Sequence, residues 1–183
     1  MSTRSPNIAG STYSLMVWTP ILPGREAQLR SVLEGLAATG SPLAQVPRTH
    51  MARWLVVPAM PVPPGTDVHD PLGGPFLLFT SNFDGDVDSY LHELCELIPD
   101  AAAAIWSHCV GCPQPAAGAA LKAYLHRNQV DSGFAFAAYG DASVQRIRTA
   151  LDKRERLADF AVRAQDMDRA TRRKAFLKEF GPA

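Results

Sequence analysis

Residues 76–98 read FLLFTSNFDGDVDSYLHELCELI, and this stretch decides the fold. Phe76–Phe83 is a short run of aromatic and apolar residues, which favours a β-strand over a helix. Asp84-Gly85 is typical of a tight turn, and Asp86 is a residue type that caps helix N-termini. Apolar residues then recur every three or four positions, which predicts a helix. They are Val87, Tyr90, Leu91, Leu94, Cys95 and Ile98.

The residues on either side of this segment predict the rest of a split βαβ plan. Tyr13–Thr19 and His50–Val57 have the composition of strands, and Arg25–Thr39 between them has apolar residues at helical spacing. After the second helix, the short apolar segment Ala101–Trp106 predicts a fourth strand. The order strand, helix, strand, strand, helix, strand predicts a ferredoxin-like α+β fold, an antiparallel sheet with both helices on one face.

The same patterns divide the chain into three parts. Residues 1–12 are small and polar and predict a loose arm, and residues 13–140 form the ferredoxin-like domain. Within that domain, the Pro- and Gly-rich segment 58–75 is long for a connection, which indicates a functional flap or a mobile surface loop. Gly133–Tyr139 predicts an extra strand, and residues 141–183 predict a helical C-terminal extension that packs on the same domain.

Composition argues against a nucleic-acid-binding or membrane protein. The chain has 183 residues, with 18 Lys and Arg against 18 Asp and Glu, so no overall charge favours binding to nucleic acid or to an anionic membrane. No apolar run approaches the length of a membrane span. The three cysteines are an odd number, which favours reduced thiols and a cytoplasmic protein.

Several segments resemble a group of largely uncharacterised bacterial proteins within the dimeric α+β barrel superfamily. They are HMARWLVV (50–57), LLFTSNFDGDVDSYLHEL (77–94), IWSHCVGCP (105–113), AYLHRNQ (123–129) and AAYGDASVQRIR (137–148). The resemblance implies a homodimer in which two sheets face each other. The superfamily also contains haem enzymes, such as dye-decolorising peroxidases and chlorite dismutases, and cofactor-free monooxygenases and polyketide cyclases. The resemblance therefore implies haem as the first candidate cofactor and the absence of a cofactor as the second.

Three polar residues on predicted strands are candidates for catalysis. His50 can act as a base or a metal ligand, and Arg53 can anchor an anion. The two-residue alternation of a strand predicts that these side chains lie on opposite faces. Asn82, near the end of the third strand, can orient a substrate carbonyl or hold the turn. The alternative is that His50 lies at a strand edge and Arg53 is a surface cation.

The string His108-Cys109-Val110-Gly111-Cys112 is the strongest chemical motif in the chain. Two thiols two residues apart beside an imidazole can share a metal or form a redox pair. His108, like His50, is also a candidate axial ligand for haem. A zinc site needs four ligands, however, and no second pair of this kind follows. Buried, unreactive cysteines at Cys109 and Cys112 are the alternative.

These features favour a small-molecule enzyme of bacterial specialised or oxidative metabolism, with a pocket between sheet and helices. Its substrate is expected to be apolar or aromatic, and its reaction a haem-dependent oxidation or a cofactor-free cyclisation or isomerisation. The predicted apolar walls are Trp18, Trp54, Phe79, Phe83 and Trp106. The alternative is a non-catalytic accessory subunit that binds another protein, because a compact barrel does not need the charged C-terminal extension.

Overall fold

A computed structural model of the chain describes residues 5–58, Gly65 and residues 74–181. These residues form an α+β structure with a four-stranded antiparallel sheet. The strands are β1 (Ile8–Ala9), β2 (Thr12–Pro20), β3 (Thr49–Val57) and β4 (Phe76–Asp84). The helices are α1 (Glu26–Thr39), α2 (Val87–Leu97), α3 (Pro99–Trp106), α4 (Gly118–Arg127), α5 (Val144–Arg163) and α6 (Arg169–Phe180), with a 3-10 turn at Pro42–Gln45.

The strand β4 lies at the centre of the sheet, whose order is β1-β2-β4-β3. It pairs antiparallel with β2 from Pro20 opposite Phe76 to Thr12 opposite Asp84, and with β3 along its other edge. Burial alternates along it, because successive side chains of a strand point to opposite faces. The buried side chains are Leu77, Phe79, Ser81 and Phe83.

The helices contact the face of the sheet that carries these buried residues. Tyr90 of α2 stacks on Phe83 with ring centroids 3.7 Å apart, and its hydroxyl lies 2.7 Å from the Ser81 hydroxyl. Trp106 of α3 meets the Phe79 ring edge-on at 5.4 Å. Burial of these large side chains is the main favourable term in folding, and it fixes α2 and α3 on one side of the sheet.

The predicted fourth strand, Ala101–Trp106, is wrong, because these residues belong to the helix α3. Four successive alanines have high helix propensity, and Pro99 is in the first helical turn, where it is favoured. The extra strand predicted for Gly133–Tyr139 is also absent, since no residue of that segment is in a strand and Phe134 is 82% exposed. The α+β class is confirmed. The predicted order strand, helix, strand, strand, helix is found from β2 to α2, and the next element is the helix α3 instead of a strand.

Short pieces of chain cover the outer edge of β2. β1 pairs with the start of β2. Further along, the N–H of Trp18 donates to the carbonyl of Asn128 at 2.9 Å, and the N–H of Val130 donates to Met16, also at 2.9 Å. Near the end, the N–H of Val110 donates to Pro20 at 2.8 Å. The edge is therefore satisfied by hydrogen bonds without a continuous strand.

Residues 5–12 are not the loose arm that the sequence predicts. Asn7 is 1% exposed, and its side-chain amide donates to the Tyr13 hydroxyl at 3.2 Å and to Asp131 at 2.7 Å. Its side-chain oxygen accepts the N–H of Ser132 at 2.7 Å. A buried amide with all of its groups paired holds two distant parts of the chain together. Small polar composition did not reveal this role.

The chain divides into two compact units, Met1–Val144 and Gln145–Ala183. In the second unit, Phe160 of α5 packs against Phe176 and Phe180 of α6, with ring centroids 5.7 Å apart in both pairs. The predicted packing of this extension on the domain stays a prediction. Most of the predicted loop 58–75 lies outside the described residues. Among the residues described, no helix is long and apolar enough to span a membrane.

We expect Asn7→Ala to lower the free energy of unfolding by about 2–3 kcal/mol, because it removes the three hydrogen bonds that the buried Asn7 side chain makes to Tyr13, Asp131 and Ser132. Urea denaturation of the purified chain measures this change. Asn82→Ala is the matched control, since no side-chain hydrogen bond of Asn82 is found in the described part of the chain. Equal losses for the two variants would contradict the role given to Asn7.

Candidate functional site

The candidate site lies on the face of the sheet that points away from α2 and α3, here called the second face. Its residues alternate with the buried ones and follow the cross-strand register. At one end the face is apolar: Trp18 pairs with Leu78, which pairs with Leu55, and the Trp18 and Phe76 rings are 5.3 Å apart. Towards the other end it becomes polar. The polar residues there are Ser14, Arg53, Thr80 and Asn82.

A β-bulge in β3 places His50 next to the last residue of β4. Thr49 pairs with Phe83 and Met51 pairs with Asn82, so His50 is an extra residue on its strand. A bulge interrupts the alternation of side chains and re-aims the inserted one. The prediction that His50 and Arg53 lie on opposite faces assumed that side chains alternate without interruption along β3. The bulge between Thr49 and Met51 breaks that alternation, so the assumption does not hold for His50.

His50 and Asp84 form a hydrogen-bonded pair. The imidazole Nε2 lies 2.8 Å from Asp84 Oδ1, and Asp84 Oδ2 accepts the backbone N–H of Val144 at 2.7 Å. Both side chains are largely buried, with 20% of His50 and 16% of Asp84 exposed. Because a carboxylate only accepts hydrogen bonds, Nε2 carries the hydrogen of this pair. The Nδ1 lone pair of His50 is then available to accept a proton.

The backbone around Asp84 is held by a second group of contacts. The N–H of Asp84 donates to the carbonyl of Arg48 at 3.0 Å. The Arg48 guanidinium makes two hydrogen bonds to Glu93 of α2, at 3.0 and 2.8 Å. Such a two-point contact restricts the geometry more than a single bond does. It fixes the end of β4 relative to α2, and therefore the position of the His50–Asp84 pair.

Three of the four residues predicted for catalysis belong to this region. Asn82 lies two residues before Asp84 and pairs with Met51, the residue that follows His50. Arg53 is exposed, and its Nε donates to the Thr80 hydroxyl at 3.2 Å. Asp84 is the residue that sequence analysis missed, because its position before Gly85 identified it only as a turn residue. Only the register of β3 against β4 shows that it meets His50.

His108, the fourth residue, lies elsewhere. Its carbonyl accepts the N–H of Leu22, which follows the end of β2. Partial burial, and then the nearby Arg25 guanidinium, lower the pKa of its imidazole. A lowered pKa keeps this histidine neutral at physiological pH. His108 lies beside the Pro20 end of β2, where Ile21 bridges Cys109, whereas Asp84 pairs with Thr12 at the other end of that strand, so the structure does not bring His108 together with the His50–Asp84 pair.

The two cysteines of the motif are free thiols on one turn. The N–H of Cys112 donates to the carbonyl of Cys109 at 3.4 Å, and the Thr19 hydroxyl lies 3.4 Å from the Cys109 sulfur. Burial raises the pKa of Cys109 to about 11 and also raises the pKa of Cys112. Thiolates are the species that bind metals and react, and both shifts disfavour them. Among the described residues, no group of three or more His, Cys, Asp or Glu side chains is placed to hold a metal.

The surroundings of His50 do not fit an axial haem ligand. The Nε2 atom of His50, through which a histidine would reach the iron, is engaged by Asp84. The apolar cleft lined by Ala52 and Trp54 has neither His50 nor His108 in its walls. No step of the chemistry below is therefore assigned to a haem.

The five aromatic residues that were predicted to line a pocket do not surround one common pocket. Trp54, Phe79 and Trp106 pack against one another, with ring centroids 5.1 to 6.2 Å apart. Phe83 stacks between Tyr13 and Tyr90 in the same core. Only Trp18 lies on the second face. Among the described residues, side chains thus fill much of the space between sheet and helices, and a cleft lies beside Trp54.

No model of a known protein family matches this chain. No curated protein and no solved structure matches it either. The resemblance to the dimeric α+β barrels stays a prediction, and function is argued below from the geometry of the site.

We expect the three thiols to react slowly and in a fixed order in the folded protein. Cys95 and Cys109 are buried with pKa values raised to about 11, whereas Cys112 is only partly buried. Iodoacetamide labelling at pH 7, followed by peptide mass spectrometry, should find Cys112 modified first. Its rate should increase with pH, since the thiolate fraction increases as pH approaches a raised pKa. Labelling of Cys109 as fast as that of a free thiol would contradict this account.

Proposed function

We propose that this protein is a cofactor-independent enzyme that moves a proton on a small apolar or aromatic carbonyl compound, as an isomerase or cyclase does. The observation that carries the proposal is the 2.8 Å contact between His50 Nε2 and Asp84 Oδ1. A histidine oriented by a carboxylate is a recurring general base. Here the pair lies beside a partly apolar sheet face.

In the proposed step, Nδ1 of His50 takes a proton from the carbon next to the substrate carbonyl. The electrons of that C–H bond form a carbon–carbon double bond, and the carbonyl oxygen becomes an enolate oxygen. Asp84 stabilises the imidazolium that forms. The imidazolium then returns the proton at a different atom of the enolate, or the enolate carbon attacks a second carbonyl carbon of the same substrate, whose C=O π bond breaks and whose oxygen takes the proton from the imidazolium. No electrons leave or enter the substrate in either outcome, so no oxidant is required.

Arg53 and Asn82 are the groups that would stabilise the enolate oxygen. Arg53 uses Nε to contact Thr80, and this contact holds the guanidinium on the second face with its terminal nitrogens as further donors. The Asn82 amide is a neutral donor between them and Asp84. Donors fixed before the reaction stabilise developing charge without reorganisation.

The apolar side chains nearest the polar groups would hold the body of the substrate. They are Met51, which pairs with Asn82, and Met16, which pairs with Thr80. Trp18 and Phe76 lie at the other end of the strands, about 20 Å or more from Asp84 at the rise of a β-strand, and so lie out of reach of a small substrate at His50. A second copy of the chain over the second face, in the homodimer that the resemblance to the dimeric barrels implies, would exclude water from the reacting groups. The hypothesis of a protein-binding accessory subunit stays a prediction.

We expect the purified chain to speed the exchange of carbon-bound hydrogen for deuterium in ketones that carry an aromatic ring, such as phenylacetone. The reaction is run in D₂O and followed by the loss of the proton signal in NMR spectra. His50→Gln should lower the rate by roughly 100-fold or more, because a general base contributes about that factor. Asp84→Asn should also lower it, since an amide no longer fixes the tautomer of His50.

His92→Gln is the matched control, because His92 is an exposed histidine on α2. This variant should exchange deuterium at the wild-type rate. Equal rates for the wild-type protein and His50→Gln, or no acceleration over buffer by the wild-type protein, would contradict the proposal.

A further inference from the structure

An apolar groove runs between α5 and α6 in the second compact unit, Gln145–Ala183. Its volume is about 550 Å³. Leu157 is 48% exposed and Phe176 is 41% exposed, so the groove is open to solvent. Its walls include Leu157, Phe160, Ala161 and Ala164 on the α5 side and Arg172 and Phe176 on the α6 side.

The two helices bury little of this apolar surface by themselves. Among the described residues of the unit, only Phe160 and Ala164 are buried. A unit of fewer than about 40 residues rarely has a core large enough to be stable alone. Grooves between helices commonly receive the apolar face of an amphipathic helix. A third helix placed here would cover the exposed parts of Leu157 and Phe176.

The charge of the unit indicates which kind of helix fits the groove. Residues 145–183 have eleven Lys and Arg against six Asp and Glu, whereas residues 1–144 have seven against twelve. The balanced total of the chain therefore includes a strongly basic C-terminal unit. Two of its six carboxylates are already engaged, because Glu179 binds Arg163 at 3.0 Å and Asp168 caps the start of α6.

Cations without carboxylate partners flank the groove. Lys153 and Arg154 come four and three positions before Leu157 on α5. Arg169 comes three positions before Arg172 on α6. Residues at these spacings lie on the same face of a helix, so all three cations lie on the groove side. Within the described part of the chain, none of the three makes a salt bridge or a side-chain hydrogen bond.

We propose that this groove is the docking site for an acidic amphipathic helix of a partner protein. The apolar side chains of that helix pack on Leu157 and Phe176. Its Asp and Glu side chains face Lys153, Arg154 and Arg169, and they supply the negative charge that the unit lacks.

Two other occupants fit these observations less well. A second copy of the unit would bring the same excess of positive charge, and like charges repel each other. Nucleic acid would satisfy the cations through its phosphates, but it would leave the apolar groove uncovered. The proposal is independent of the proposed catalysis, because neither His50 nor Asp84 belongs to this unit.

Binding of fluorescent peptides to the full chain tests the proposal. The first peptide has about 18 residues, long enough to form a helix, with Leu at every third or fourth position and Glu between. The second has Lys in place of Glu. The third has the composition of the first in an order that gives no apolar face. Fluorescence anisotropy at about 0.15 M NaCl should show that the first peptide binds at least about tenfold more tightly than either of the others.

Three variants make the result specific to the groove. Arg154→Glu should weaken binding of the first peptide about fivefold, because it reverses a charge beside the groove. Arg148→Glu is the matched control and should bind as the wild-type protein does, since two and a half helical turns place Arg148 on the side of α5 opposite Leu157. Leu157→Gln should also weaken binding about fivefold by removing apolar contact. This side chain is half-exposed, so the circular dichroism of the variant should match that of the wild-type protein.

Equal affinities for the first and second peptides would overturn the proposal, and so would wild-type binding by both Arg154→Glu and Leu157→Gln. Tighter binding of a single-stranded DNA of about 20 nucleotides would identify a nucleic-acid surface instead. A dimer in analytical ultracentrifugation that dissociates in Leu157→Gln would assign the groove to a second copy, which also contradicts the proposal. His50→Gln should bind the first peptide as the wild-type protein does, which separates this test from that of the proposed catalysis.

Discussion

The carboxylate of Asp84 accepts a hydrogen bond on each of its oxygens, from His50 on Oδ1 and from the backbone of Val144 on Oδ2. The same residue ends the central strand, where its backbone pairs with Thr12 and with Arg48. One residue therefore joins both neighbouring strands, the first residue of α5 and the imidazole. A charged group that is partly buried must have such partners, because an unpaired one is costly to desolvate. The position of the candidate site therefore depends on the backbone pairing of Asp84 with Thr12 and Arg48.

The sheet has two faces with different physical roles. On one face, large aromatic side chains of the described residues fill much of the space under the helices, with a small cleft beside Trp54. On the second face, the residues are apolar near Phe76 and become polar along β4 towards Asp84. Stability comes mainly from the first face, where burial is nearly complete. The second face carries polar groups that lie outside the hydrophobic core, and these are the groups to which we assign chemistry.

Sequence patterns predicted the elements whose periodicity is strong. The residue composition of β2, β3 and β4 and the helical stripes of α1 and α2 were sufficient for the α+β class. Ala101–Trp106 was assigned to a strand because a short apolar run fits either structure, and alanine propensity decided for a helix. Segment 128–130 pairs with β2 through its backbone, which side-chain patterns do not report.

The candidate site was predicted only in part, because local sequence patterns do not show contacts between distant segments. His50, Arg53 and Asn82 were identified from their chemistry, but strict alternation could not anticipate a bulge at His50. Asp84 acquires its role through register, a long-range property that one sequence does not display. Asn7 likewise contacts residues more than 120 positions away. Local patterns give local structure, whereas the site is made by contacts between distant segments.

The most direct test of this account is the tautomer of His50, read from ¹⁵N NMR of histidine side chains at a pH where the imidazole is neutral. The pairing with Asp84 predicts that the hydrogen resides on Nε2 and the lone pair on Nδ1. Asp84→Asn identifies the effect of the carboxylate on the same signal. A hydrogen on Nδ1 in the wild-type protein, or a signal unchanged in Asp84→Asn, would contradict the claim that Asp84 prepares His50 to accept a proton.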